Sequence, residues 1–444
     1  MWPNGSVYDG IIVSYSHGEH VLEYLKRVVD TELDELLDGL AAIALEGPKG
    51  VGKTETAKRR AAIMVALDDP AHLAIARADV AQLLKGKKPI LVDEWQHFPP
   101  VWDAIRRAID LDNRPRQFLL TGSASPSSPP SHSGAGRIVS LRMRPLTLSE
   151  RGVGAPVVSL GSLLTGACDP IDAATTINLS DYVREIECSG LPGIRHLTGR
   201  ALRAQLDGYL HRIVDRDFAD QGLRLRNPQG LLRWMTAYAA ATATTASFET
   251  IRGAATGGQG DKPARTTIQP YRDILERLWI LDPVPAWLPT RNHLNRLSQP
   301  PKHHLADPAL AVRLLGLDQE ALLRGVESGP PVPRDGTLLG HLFESLVTLS
   351  IKTFAQASEA QVRHLRLKGG RREIDLIVER PDQRVVAIEV KLSSAIDQRD
   401  VRNLIWLREK IGDSLLDAVV INTGPRAYRR KDGIAVIPAA LLGP

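Results

Sequence analysis

The stretch EGPKGVGKT, residues 46–54, directly follows the apolar run AAIAL and constrains this chain more than any other feature. It has the spacing of a glycine, four residues, a second glycine, a lysine and a hydroxyl residue. Gly47, Gly50 and Gly52 let the backbone curl so that successive N–H groups converge on one point, which then suits a phosphate. The stretch behind it, ETAKRRAAIMVAL, reads as a helix whose positive N-terminal end faces the same point. The pattern therefore predicts a buried strand, a phosphate-binding loop over Gly47, Pro48, Lys49, Gly50, Val51, Gly52, Lys53 and Thr54, and then a helix. Lys53 is placed to bridge the β- and γ-phosphates of a nucleotide, and Thr54 to hold Mg²⁺ through its hydroxyl.

About forty residues on, ILVDE ends an apolar strand in Asp93 and Glu94. Asp93 is expected in the Mg²⁺ shell, and Glu94 is expected to orient and polarise the attacking water. A third strand, FLLTGS, ends in Thr121 and Ser123, whose hydroxyls can sense a γ-phosphate from the neighbouring strand. A structural carboxylate pair beside an ordinary strand end is the plain alternative, but three such elements in order favour an ATPase. Strands alternating with helices imply a parallel sheet with helices on its faces.

The chain has 444 residues, enough for two to four domains. Its 43% hydrophobic and 24% charged residues are ordinary for a globular protein, and a net charge of +5 permits an anionic partner without demanding one. Cys168 and Cys188 form neither a disulfide framework nor a metal-ligand pattern. No apolar run reaches the length of a membrane span, and MWPNGSVYDG lacks the order of a signal peptide, so a cytoplasmic protein without membrane contact is expected.

Residues 1–20 read as a loose extension and Val21–Leu40 as an amphipathic helix. An ATPase domain over 21–165 includes a Ser-, Pro- and Gly-rich loop at 123–136. A helical segment follows over 166–228, then a three-helix module over 229–326 with a soft stretch at 255–266. ESGPPVPRDG, 327–336, is the best linker candidate, leaving a last domain over 335–444. Arg106, Arg107 and Arg137 are candidates for an arginine finger, with Asp103 as a helix partner for the first two and a solvated helix face as the bland reading.

EGPKGVGKT, ILVDEWQHFPPVWDAIRRAID and RQFLLTGSA together resemble an AAA-type ATPase family of bacteria and archaea. DYVREIECSGLPGIR, YLHRIVDRDF, KHHLADPAL and LFESLV are similar to that family too, so the resemblance runs from about residue 21 to the end. It implies ATP rather than GTP, a winged helix in the middle, and a C-terminal domain of unassigned function with a restriction-endonuclease-like core. The order of elements over 229–290 suits a winged helix, with Ile268, Tyr271, Ile274, Leu275 and Leu278 on one side of the third helix and Pro270 in its first turn. Arg265 and Arg272 are its only obvious groups for reading DNA, and a structural role is at least as well supported.

In VVAIEVKLSS, Glu389 and Lys391 share one strand face, and in REIDLIVER Asp375 points away from Ile374, Leu376 and Val378. A hairpin through ERPDQR brings Asp375 beside Glu389. Glu344 flanks the apolar stripe of LLGHLFESLVTLSI, within reach of that sheet. This is the layout of the PD-(D/E)xK nuclease fold, with Ile374 standing where a proline often precedes the aspartate. Asp375, Glu389 and Glu344 are then the expected Mg²⁺ ligands, and Lys391 stabilises charge or positions water. A degenerate or structural constellation is the alternative. RHLRLKGGRR and RAYRRK either approach phosphates or are solvated surface. His303 and His304 read as a turn before a helix, and Trp95, Trp102, Trp279 and Trp287 as packing residues.

The sequence thus predicts a multidomain α/β protein: a P-loop AAA-type sheet, a helical middle and a nuclease-like end. Its expected function is an ATP- and Mg²⁺-using, DNA-processing enzyme, with a homo-oligomer allowed. The alternative is a nucleotide-gated switch that contacts DNA or protein through an inactive nuclease fold.

Overall fold

The structure is a computed structural model that describes residues 24–122, 134–256, 264–290, 299–324 and 336–444. The expected extension over 1–20, Ser123 and linker residues 327–335 lie outside the described residues.

The first sheet has five parallel strands. They are β1 (Ala42–Glu46), β2 (Ile63–Ala66), β3 (Ile90–Asp93), β4 (Phe118–Gly122) and β5 (Ile138–Arg142), in the order β2-β3-β4-β1-β5. The three central strands are almost wholly buried, which explains their continuous apolar sequences. Ile43, Leu45, Leu91 and Leu119 face the helical middle of the chain. Ala42, Ala44, Ile90, Val92, Phe118 and Leu120 face the helix Pro100–Leu111. Each such leucine or isoleucine contributes roughly 1.5–3 kcal/mol by leaving water.

Two expectations for this region are corrected. The helix after the loop stops at Lys58, because IMVA pairs as β2 with β3. The first helix starts at Val28, not Val21, and Tyr24–Arg27 are non-helical. Arg27 ends the extended segment because its guanidinium is drawn into an ion pair with Glu150 at 3.0 Å and onto the carbonyls of Val51 and Arg144.

The second sheet has eight strands in the order β7-β13-β14-β12-β11-β10-β9-β8. Its centre is β9 (Gln361–Arg366), β10 (Glu373–Glu379), β11 (Val385–Val390), β12 (Leu415–Asn422), β13 (Arg426–Arg429) and β14 (Ala435–Pro438). Its borders come from earlier in the chain: β7 (Asp172–Ala174) and β8 (Ala286–Trp287). A further pair joins β6 (Val158–Ser159) to β15 (Leu442–Gly443). The helix Gly336–Ala357 covers one face through Leu339, Leu342, Phe343, Leu346 and Val347, the expected apolar stripe.

Along the chain between β7 and β8 come the helices Pro228–Ala240, Phe248–Ala254 and Arg265–Arg277, in the expected order. Pro270 is the sixth residue of its helix rather than part of the first turn, because the helix begins at Arg265. Trp95, Trp102 and Trp287 are buried, and Arg142 lies over the Trp279 ring at 4.5 Å.

Candidate nucleotide site and carboxylate cluster

The loop after β1 takes the conformation its glycines permit: φ is 153° at Gly47, 76° at Gly50 and 100° at Gly52. A side chain at Gly47 would meet the Met143 carbonyl oxygen at 2.3 Å, so glycine is obligatory there. Lys53, only 5% exposed, donates from Nζ to the carbonyls of Gly47 (2.8 Å) and Pro48 (2.9 Å). Parallel pairing of β3 with β4 sets Asp93 opposite Thr121. Asp93 Oδ1 accepts from Thr54 Oγ1 at 2.9 Å and also from the Thr121 hydroxyl, which is thus turned to the carboxylate rather than left free to sense a phosphate. Glu94 leaves the strand at φ 50°, a left-handed conformation rare for a residue with a side chain and concentrated at functional sites. Gln96 donates to its carboxylate.

A threonine hydroxyl and an aspartate sharing one point fit Mg²⁺, which takes few protein ligands and completes its shell with water and substrate phosphate oxygens. When bound there, the ion supplies neutralisation of phosphate charge. Burial pulls the Lys53 ammonium down to about 8, against the attraction of Glu94 and Asp93. Below that value the amine is charged, and above it ATP must bring a proton back. ATP affinity is therefore expected to be flat up to about pH 7.5 and to fall, approaching about tenfold per pH unit, above pH 8. Titration with a fluorescent ATP analogue measures this; constant affinity up to about pH 9.5 would show that Lys53 keeps the ordinary lysine value.

The helical segment reaches this loop. Lys49 pairs with Asp217 at 2.5 Å, and Tyr209 donates to the Lys49 carbonyl at 3.2 Å. Asp217 ends a π-helical turn over Ile213–Asp217, within the YLHRIVDRDF stretch. Among the arginine candidates, Arg106 and Arg137 both pair with Asp110 at 2.8 Å, and Arg107 is exposed.

In the second sheet, β10 carries one more residue than β9 between Ile374 and Ile377. This bulge turns Ile374 onto the face of Ile377 rather than that of Leu376 and Val378, which corrects the simple alternation, and it aims Asp375 at β11. Antiparallel pairing then brings Asp375 beside Glu389, as the hairpin predicted. Asp375 Oδ2 accepts from the Val390 N–H at 2.9 Å; Lys391 Nζ donates to Glu389 Oε2 at 2.7 Å and lies 3.9 Å from Asp375. Glu389 Oε1 is buried, and the Asp375 carboxylate is its side-chain neighbour for a shared proton.

The residue that sequence reasoning missed is Lys302. Its Nζ donates to Glu344 Oε1 at 2.7 Å and Asp375 Oδ1 at 3.2 Å, and lies 3.7 Å from Glu373. Only 1% of it is exposed. Its backbone is locked to Val284 by paired hydrogen bonds of 2.8 and 2.9 Å, and His304 next door meets Ser345 at 3.2 Å. A lysine in KHHLADPAL, within a stretch destined for burial, was the sole available signal.

Against the cost of burial, Glu344 and Asp375 hold Lys302 charged, above the usual lysine range. Despite burial, Lys302 and Lys391 draw Asp375 down to about 2. Burial and the charge of Asp375 push Glu389 up to about 8. Glu344, Asp375 and Glu389 thus face two ammonium groups, and burial, with the charge of Asp375, pushes Glu344 up to about 8 as it does Glu389, against the pull of Lys302. A dication about 4 Å from Lys302 Nζ would meet roughly 8 kcal/mol of repulsion at an effective dielectric of about 20. Among the described residues no group of three or more His, Cys, Asp or Glu side chains is placed to hold a metal. The expected Mg²⁺ set of Glu344, Asp375 and Glu389 does not fit a divalent ion while Lys302 stands among them.

The basic runs are largely consumed by their own surroundings. Arg363 pairs with Glu379 at 2.9 Å, Arg366 with Glu373 at 2.9 Å, Arg429 with Asp417 at 2.9 Å and Arg430 with Asp432 at 3.0 Å. On the third middle helix, Arg265 meets Glu249 at 3.3 Å and Arg272 lies over Phe248 at 4.7 Å. No helix among the described residues is long and apolar enough to cross a membrane.

Comparison with known proteins agrees with the first site. Residues 41–151 match an AAA domain, residues 179–321 a domain of unknown function (DUF8612), and residues 339–442 another (DUF4143). Uncharacterized proteins of Mycobacterium bovis and Mycobacterium tuberculosis are each 25% identical over 304 residues, 67% of this chain. The match spans 61% of the length of each of these relatives. Among solved structures, a Walker-type ATPase of Pyrococcus abyssi is 14% identical, covering 64% of this chain and 94% of its own, with a TM-score of 0.37. The ORC2 protein of Aeropyrum pernix, in ADPNP–ADP complexes, is 14% identical, covering 67% of this chain and 95% of its own, with a TM-score of 0.29. The phosphate loop, the Asp93 site and the matched family together make residues 41–151 an AAA-type, ATP-binding P-loop domain.

Proposed function

We propose that this protein hydrolyses ATP in its N-terminal sheet and uses the nucleotide state to gate contacts with DNA made through a nuclease-like C-terminal domain that does not itself cleave. The observation carrying the ATPase half is Asp93, which collects the hydroxyls of Thr54 and Thr121 beside the Lys53 loop, with Glu94 turned out of the strand next to it. Lys53 and the loop N–H groups bind the phosphates, Thr54 and Asp93 hold Mg²⁺, and Glu94 accepts a proton from the attacking water. The Lys49–Asp217 contact offers a direct route from the loop to the helical middle. DNA is proposed as partner on the Asp375, Glu389 and Lys391 layout, and the non-cleaving role on Lys302.

The test runs ATP hydrolysis, DNA binding and cleavage of plasmid, linear and branched DNA side by side, with Mg²⁺ or Mn²⁺ and with or without ATP. Wild type is compared with Lys53→Ala and Lys391→Ala. Hydrolysis lost in Lys53→Ala, DNA affinity that changes with ATP, and intact DNA throughout are the expected results. Cleavage abolished by Lys391→Ala would instead establish the metal-dependent nuclease. DNA affinity indifferent to nucleotide would remove the gate.

A further inference from the structure

We infer that Lys302 is the resident cation of the C-terminal carboxylate cluster: its ammonium occupies the place a divalent metal would take between Glu344 and Asp375, so the wild-type cluster binds no such ion. This deepens the non-cleaving reading of that domain and concerns metal binding alone, independent of any cleavage assay.

Three observations carry it. The ammonium donates to carboxylates from two different elements, the helix Gly336–Ala357 and β10, the position a bridging cation holds. The side chain cannot be a loose visitor, because Lys302 is 1% exposed and both its backbone groups are bonded to Val284. Its neighbours are fixed as well: the Ala243 N–H donates to the His303 carbonyl at 2.7 Å, and the Asp282 N–H to that of His304 at 2.9 Å. A buried charge persists only where it is paired, and here the carboxylates themselves are what pair it.

The experiment is a Mn²⁺ titration of the full, nucleotide-free chain, followed by the electron paramagnetic resonance of free Mn²⁺. Wild type and Asp375→Asn should give superimposable isotherms, any weak binding at Thr54 and Asp93 being common to both. Lys302→Met, which removes the charge and keeps most of the bulk, should gain one ion per chain, and Lys302→Met/Asp375→Asn should lose it again. Wild-type binding abolished by Asp375→Asn overturns the inference, whether or not DNA is cut. So does a folded Lys302→Met chain that gains no ion. Should Lys302→Met fail to fold, the wild-type and Asp375→Asn comparison decides alone. Cleavage by a wild type that takes no Mn²⁺ at this cluster would sink the non-cleaving reading and leave the inference standing.

Discussion

Glu94→Gln lowers kcat for ATP hydrolysis by about 10²–10⁴-fold, the range of a lost general base, and leaves ATP affinity within about threefold. Glutamine keeps the shape and the backbone at φ 50° but cannot take a proton from water. Gln96, which donates to the glutamate, would face an amide that can rotate to accept from it, so the local fold survives. Steady-state kinetics beside equilibrium nucleotide titration separate the two quantities. A fall in affinity matching the fall in kcat would mean that Glu94 supports the loop rather than the chemistry.

Asp282→Ala is expected to destabilise the chain by about 3–5 kcal/mol, the cost of stranding buried charge. Asp282 is buried, and three cations converge on it: Arg142 at 3.1 Å, Arg144 at 3.0 Å and Lys352 at 2.5 Å. They come from the end of β5, the residues after it, and the helix Gly336–Ala357, so one carboxylate joins the ATP-binding sheet to the C-terminal half. Against burial, Arg142, Lys352 and Arg144 hold Asp282 far below the usual carboxylate range. Burial pulls Lys352 down to about 8 even with that partner. Without it Lys352 sheds its proton at still lower pH, so the loss shrinks as pH rises towards about 8 and is constant above that, where Lys352 is neutral in both chains. Thermal melting should drop by roughly 5–10 °C at neutral pH. Lys352→Met in the Asp282→Ala chain should recover part of the loss, and an Asp282→Ala chain that melts like wild type would show that the cluster contributes nothing.

Much of the nucleotide site was legible in the sequence, because its parts are local. Gly47 to Thr54 occupy one loop, Asp93 and Glu94 one strand end, and a strand–loop–helix context needs only short windows. The hairpin of Asp375 and Glu389 was legible for the same reason. What was not legible depends on distant pairing. IMVA looks helical beside ETAKRRAA until β3 is there to bond it, and the bulge at Asp375 exists only against β9. Lys302 lies 42 residues from Glu344 and 73 from Asp375, and no periodicity connects them. Arg27 and Asp282 likewise depend on distant partners, Glu150 lying 123 residues from Arg27 and Arg142 140 from Asp282.

β7 and β8, three and two residues long, border the eight-stranded sheet from opposite sides, and the chain between them forms the helical middle. The second sheet is thus laced to the helices at both margins, while β15 returns to β6 just past the first sheet. Severing the chain within the middle would leave bare strand margins open to association with other copies.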